Sequence, residues 1–190
     1  MKTILLAVLV VLMLAGDARS QSAAAPQWFL DDIASLSAGT GRWVTDNSAY
    51  MSDAEPWRSY GTAWTASFDG TTMSGRLFAI EDGEETTKFW EFRQYWHPGR
   101  GEAVLAQFGR DGKIVIGRMT NDGNITLIDQ TSYTINGDSG RSGHLSRFLD
   151  ADTYFTESFT IKDGLRVPNR EYTWRRIEAE NDSGLERPLS

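Results

Sequence analysis

Turn-forming dipeptides punctuate this chain at short, regular intervals. Asp-Gly occurs at Asp69-Gly70, Asp82-Gly83, Asp111-Gly112, Asp122-Gly123 and Asp163-Gly164, with Asn136-Gly137 and Pro98-Gly99 as further breaks. Asp-Gly and Asn-Gly supply the positive φ that tight hairpin turns need. The segments between them are rich in aromatic and β-branched residues. They read as strands over 43–50, 57–68, 72–80, 86–96, 102–108, 113–120, 125–135, 142–148, 153–161 and 166–177. A run of hairpin-linked strands leaves two bare edges unless the sheet closes on itself. The expected fold is therefore all-β: an antiparallel up-and-down meander closed into a barrel of about ten strands. A two-sheet sandwich is the alternative. A barrel set in lipid is disfavoured, because Lys88, Glu91, Arg93, Arg118, Glu157 and Arg175 would place charge on its faces.

One short N-terminal helix is expected over 26–36, where Phe29, Ile33 and Leu36 recur at i, i+4 and i+7. Asp31 and Asp32 would then lie near its positive N-terminal end. The barrel domain spans 26–177, and 178–190 forms a polar C-terminal tail.

Residues 1–20 read as a secretory signal. Lys2 gives a positive start, Ile4 to Gly16 is apolar or small, and Ala18-Arg19-Ser20 suits cleavage near Ser20, with Ala25 as the latest site. The apolar run is shorter than the ~20 residues of a membrane-spanning helix. After cleavage no membrane insertion is expected, and the protein is exported, either periplasmic or secreted. The chain contains no Cys, which excludes disulfides, a thiol nucleophile, thiolate metal sites and a lipid anchor on a cleavage-site cysteine. The formal net charge is −7. An acidic chain without a basic stripe repels phosphate backbones, so nucleic acid is not an expected partner.

Gly41-Arg42-Trp43 follows the helix and opens the first strand, and Tyr172-Thr173-Trp174-Arg175-Arg176 closes the last. A Gly-x-Trp so placed, with an arginine on the final strand, resembles the lipocalin-like (calycin-type) β-barrel superfamily. The overall look is closest to bacterial lipocalin-like domains of unknown function. The resemblance covers about residues 28 to 177 and implies that Trp43 lies at the barrel floor beneath Arg175 or Arg176. Arg170 and Tyr172 also resemble the Arg-x-Tyr pair that fatty-acid-binding barrels use on a carboxylate, without the rest of that pattern. Haem-binding barrels of this shape carry a histidine on a late strand, and the last two strands here have none.

Period-two sorting of the strands gives candidate cavity residues. Trp90, Phe92, Gln94 and Trp96 share one face. Arg170, Tyr172, Trp174 and Arg176 share another, and Trp64 adds an aromatic. Gln94 among aromatics is either an orienting hydrogen-bond group or a satisfied core amide. Arg170 and Arg176 either anchor an anionic ligand or are held by Trp43 and an internal carboxylate. Catalytic signals are sparse. Glu157 shares a face with Phe155 and Phe159, which suggests an internal carboxylate. Asp129 reads as a cross-strand partner of Arg118. His97 and His144 lie near turns or in Gly- and Ser-rich sequence, and no His pair has metal-ligand spacing. Neither metal nor cofactor is expected. The reading that follows is a barrel holding a small, partly apolar ligand, with an anionic group admitted by the arginines. An acid–base enzyme (isomerase, cyclase or decarboxylase type) using Glu157, His97, Asp129 and Tyr172, or a filled barrel serving as an interaction module, are the alternatives.

Overall fold

The computed structural model describes residues 24–178; the leader expected over 1–20 and most of the tail lie outside them. Helix α1 (Gln27–Ser37) precedes ten strands: β1 (Arg42–Asp46), β2 (Ser59–Ser67), β3 (Thr72–Glu81), β4 (Glu84–His97), β5 (Glu102–Gly109), β6 (Ile114–Asp122), β7 (Ile125–Tyr133), β8 (Ser139–Phe148), β9 (Thr153–Lys162) and β10 (Leu165–Arg176). Each strand pairs antiparallel with its sequence neighbours, and β1 pairs with β10 to close the barrel. Tight turns make this order possible. Both central residues adopt positive φ at Asp82 (52°) and Gly83 (83°), and at Asp163 (51°) and Gly164 (78°). That is the twist that lets a short loop join adjacent strands without splaying them.

The first strand is shorter than the sequence suggests. It stops at Asp46, whose carboxylate accepts hydrogen bonds from Ser48 N (3.1 Å) and Ser48 Oγ (2.6 Å). This local bonding diverts the chain into a 3-10 turn over Ser48–Tyr50. The β1–β10 seam consequently rests on few pairs, Trp43 with Arg176 and Val44 with Arg175. Thr45 Oγ1 adds a bond to Thr173 O (2.9 Å), and Ile177 N donates to Arg42 O (2.9 Å).

Helix α1 plugs one end of the barrel. Phe29, Ile33 and Leu36 are buried, and Trp43 Nε1 donates to Leu36 O (2.9 Å). The helix begins at Gln27, so Asp31 and Asp32 fall beyond its first turn, not at the N-terminal end. Asp32 lies between Phe29 and Leu36 at helical spacing, which turns its carboxyl toward the barrel interior. The other end of the barrel stays open.

Two bulges shape the wall around that open end. The β3–β4 register shifts around Phe78. As a result consecutive β4 residues, Phe89 and Trp90, both reach the interior cavity. The second bulge falls between Pro168 and Arg170, where proline has no N–H to give to the ladder. Asn169 is left over and exchanges side-chain hydrogen bonds with Thr160.

Candidate functional site

A cavity of about 800 Å³ occupies the open half of the barrel, within the range of small-molecule sites. Its walls differ in character. One is aromatic: Trp57 meets Phe89 edge-on (centroids 4.9 Å), Tyr60 meets Phe89 (5.3 Å), and Tyr172 meets Trp174 (5.6 Å). Trp90 extends the same wall. The opposite wall is polar and uncharged, formed by Gln107, Gln130, Ser142, Ser158 and Thr160 with His144 below them. Register places these residues together. Gln130 pairs with Ser142, Ser142 with Thr160, and His144 with Ser158.

The loop between β1 and β2 reaches across the rim. Both terminal nitrogens of the Arg170 guanidinium donate to the Glu55 carboxylate, Nη2 to Oε2 at 2.6 Å and Nη1 to Oε1, and Tyr60 donates its hydroxyl to the same Oε1. The hydrogen bond from Arg170 holds Glu55 below the usual carboxylate range, and desolvation raises the Tyr60 phenol well above its ordinary value. Asn47 supports the loop from below. Its Nδ2 donates to Trp57 O (2.8 Å), while Tyr172 donates its hydroxyl to Asn47 Oδ1 (2.7 Å).

A smaller chamber of about 80 Å³ lies deeper, between the cavity and the helix, and His144 borders both spaces. Its walls include Asp32, Trp64, Gln94, Tyr154 and Thr156. Gln94 Nε2 donates to Asp32 Oδ2 (2.7 Å). Burial nevertheless pushes the Asp32 carboxyl up to about 6, only partly opposed by that bond. Burial also drives the His144 imidazole down to about 4, so it is neutral at pH 7.

The residues singled out from sequence divide among several places. Trp90, Arg170, Tyr172 and Trp174 border the large cavity. Trp64 and Gln94 border the inner chamber, where Trp64 stacks on Phe92 (centroids 5.1 Å). Trp96 packs toward Phe29 of the helix (6.3 Å). The Arg176 guanidinium lies over Trp43, 4.1 Å from the ring centroid, and bonds the carbonyls of Ser35, Ala38 and Ala151. Arg176 is the arginine that covers the floor, and it does not reach the cavity. Gly41 permits this floor: its φ is +63°, and a Cβ there would sit 2.2 Å from Trp64 O.

Three acid–base candidates are misplaced for chemistry in the cavity. Glu157 is on the outer face, because Tyr154 and Thr156 point inward and alternate with it; Trp174 Nε1 bonds Thr156 Oγ1 (2.9 Å). The aromatic neighbours that suggested otherwise are outer residues sheltered by arginines, Phe155 under Arg147 (5.3 Å) and Phe159 under Arg166 (4.7 Å). Asp129 is also outside, and its carboxylate pairs with Arg141 (2.6 Å) although Arg118 is its register partner. His97 ends β4 beside the Pro98–Gly101 turn and borders neither chamber. Sequence reasoning did not single out Glu55 or Gln130; it set Asp32 at the helix N-terminal end and His144 in a Gly- and Ser-rich stretch, whereas the structure brings both to the inner chamber. Only Asp32 had a local signal, its helical spacing from Phe29 and Leu36.

Among the described residues no group of three or more His, Asp or Glu could hold a metal ion. The fold and the site together define a closed antiparallel barrel, plugged by a helix at one end and hollow at the other. No protein-family model matches the chain, and no curated protein matches it either.

Proposed function

We propose that the protein is an exported, lipocalin-like barrel that binds a small, partly apolar ligand in the open-end cavity. The observation that carries this reading is the cavity itself, with one aromatic wall and one uncharged polar wall. Such a division suits a molecule with an apolar body and a few hydrogen-bonding groups. The Gly41–Trp43–Arg176 floor supports the lipocalin-like part of the reading. An anionic group on the ligand is less favoured, since Arg170 already holds Glu55 and exchanging partners would strand that carboxylate.

Native mass spectrometry of the mature protein, purified from its export compartment, tests the proposal. A mass excess that disappears on denaturation is expected, and Ser142→Trp, which fills the cavity from its polar wall, should abolish it. A protein that carries no excess and binds no apolar probe at the cavity would overturn the reading.

One observation favours an acid–base enzyme as the second reading. Asp32 and His144, with pKa values moved to about 6 and about 4, border the same inner chamber. They would replace Glu157, His97 and Asp129 as the acid–base pair. The interaction-module reading draws on an exposed outer row in which Phe108, Ile114 and Tyr133 are register neighbours. A cavity of this size argues against the filled barrel that it assumed.

A further inference from the structure

Gln130 is 4% exposed and borders the large cavity, and its Nε2, closed off even to water in this conformation, has no hydrogen-bond partner. Buried amide donors are almost always satisfied, and a bare one is destabilising. The strands are arranged to keep this amide in place. Gly117 is its register partner on β6, and a Cβ there would fall 2.5 Å from Gln130 Cγ and 2.8 Å from Ile128 Cγ2. The missing side chain at Gly117 is the space that the Gln130 stem occupies.

The charges around the cavity leave the depth neutral. Glu55 and Arg170 are engaged with each other at the rim. Arg110, Asp111 and Lys113 border the space from one turn at the mouth, where Asp111 and Arg110 are exposed. His144, the one titratable side chain of the polar wall, is uncharged at neutral pH because of its burial. A free carboxylate carried to the level of Gln130 would lose its hydration and leave Arg110 and Lys113 behind at the mouth.

We infer that the ligand is a neutral, planar molecule whose carbonyl-type oxygen accepts a hydrogen bond from Gln130 Nε2, brought to the cavity surface by a turn of the side-chain amide, while its apolar body lies against the aromatic wall of Trp57, Phe89, Trp90 and Trp174. This inference rests on the binding-barrel reading and names the class of ligand within it. An aromatic or conjugated ketone, amide or lactone has the required chemistry, whereas a hydrocarbon of the same shape would leave the amide bare.

Three naphthalenes of one shape separate the possibilities: 2-acetonaphthone, 2-isopropenylnaphthalene, which replaces C=O by C=CH₂, and 2-naphthoate. Each is titrated into the mature protein at pH 7 and followed by quenching of tryptophan fluorescence. The ketone is expected to bind at least about tenfold more tightly than the alkene, equal to about 1.4 kcal/mol, and more tightly than the naphthoate. In Gln130→Leu the ketone-to-alkene ratio should fall to about one with alkene affinity kept. Gln130→Met repeats the measurement should the leucine variant not fold. Equal binding of ketone and alkene, a preference that survives both variants, or tightest binding of the naphthoate overturns the inference while leaving a ligand-binding cavity. Failure of all three probes, together with the absence of bound cargo, removes the inference and the binding-barrel reading alike.

Discussion

The guanidinium of Arg176 lies 4.1 Å from the centre of the Trp43 ring, and the same two residues are backbone partners across the β1–β10 seam. One contact thus joins the first strand, the last strand and, through the carbonyls of Ser35 and Ala38, the end of the helix. A guanidinium over an indole in a desolvated place contributes about 2 kcal/mol, and its charge-assisted hydrogen bonds add to that. Arg176→Ala is expected to destabilise the fold by about 2–4 kcal/mol, read as a lowered urea midpoint with unchanged slope. Arg176→Lys should recover only part of the loss, because an ammonium cannot span the same carbonyls in a planar fork. An alanine variant as stable as the parent would show that the seam does not depend on this contact.

Glu55 provides a pH-dependent link across the rim. Its folded pKa is depressed, chiefly by the hydrogen bond from Arg170, so its contribution is full above the ordinary glutamate pKa of about 4.3. That contribution disappears as pH falls through the lower folded value. The stability difference between the parent and Glu55→Gln should be constant from pH 8 to about 5 and shrink below about 4. Thermal melts at stepped pH measure it. A difference that grows on acidification would contradict the ion pair.

Asp32 acts in the opposite direction. Its folded pKa, about 6, exceeds the value of 3.8 expected for an exposed carboxyl, with burial as the main cause. The native state therefore binds the extra proton between those values, and stability falls as pH rises from about 4 to about 6. Asp32→Asn keeps an acceptor for Gln94 Nε2 without the buried charge. It should stabilise the protein at pH 7 by an amount on the order of 2 kcal/mol and have little effect at pH 4. Paired chemical denaturation curves at the two pH values check this.

His144 opposes Asp32 over an overlapping window. Its folded pKa of about 4 lies below the ordinary 6.5, so the unfolded chain takes up the proton first and stability falls as pH drops from 6.5 toward 4. In a two-dimensional NMR titration the His144 ring resonances should show the neutral imidazole down to about pH 5. His144→Gln should flatten the acid side of the stability profile. A midpoint near 6.5 would place this ring in water instead of beside the chambers.

Much of the architecture was legible because short-range chemistry sets it. Asp82-Gly83 and Asp163-Gly164 adopt the positive φ pair that their composition favours, and the strand expected over 72–80 is observed as Thr72–Glu81. Phe29, Ile33 and Leu36 bury the helical face their spacing defined. The site was legible only in part. Trp90, Tyr172 and Trp174 border the cavity on faces that alternation assigned correctly. Alternation failed for Glu157, because Arg147 and Arg166 cover Phe155 and Phe159 and make an outer face resemble an inner one. It also failed to bring Phe89 inside, since the bulge in β4 depends on its pairing with β3.

The sequence by itself determined the all-β class, the helix and the Asp-Gly turns, since backbone φ preferences and side-chain periodicity act within a few residues, although it read the 3-10 turn over Ser48–Tyr50 as strand. Tertiary structure alone decided which polar groups meet. Glu55 and Arg170 are far apart along the chain, as are Asp32 and Gln94, and no local pattern encodes their approach. The unsatisfied amide of Gln130 and the neutral imidazole of His144 likewise acquire their character from burial. Burial and desolvation depend on every strand of the closed barrel at once.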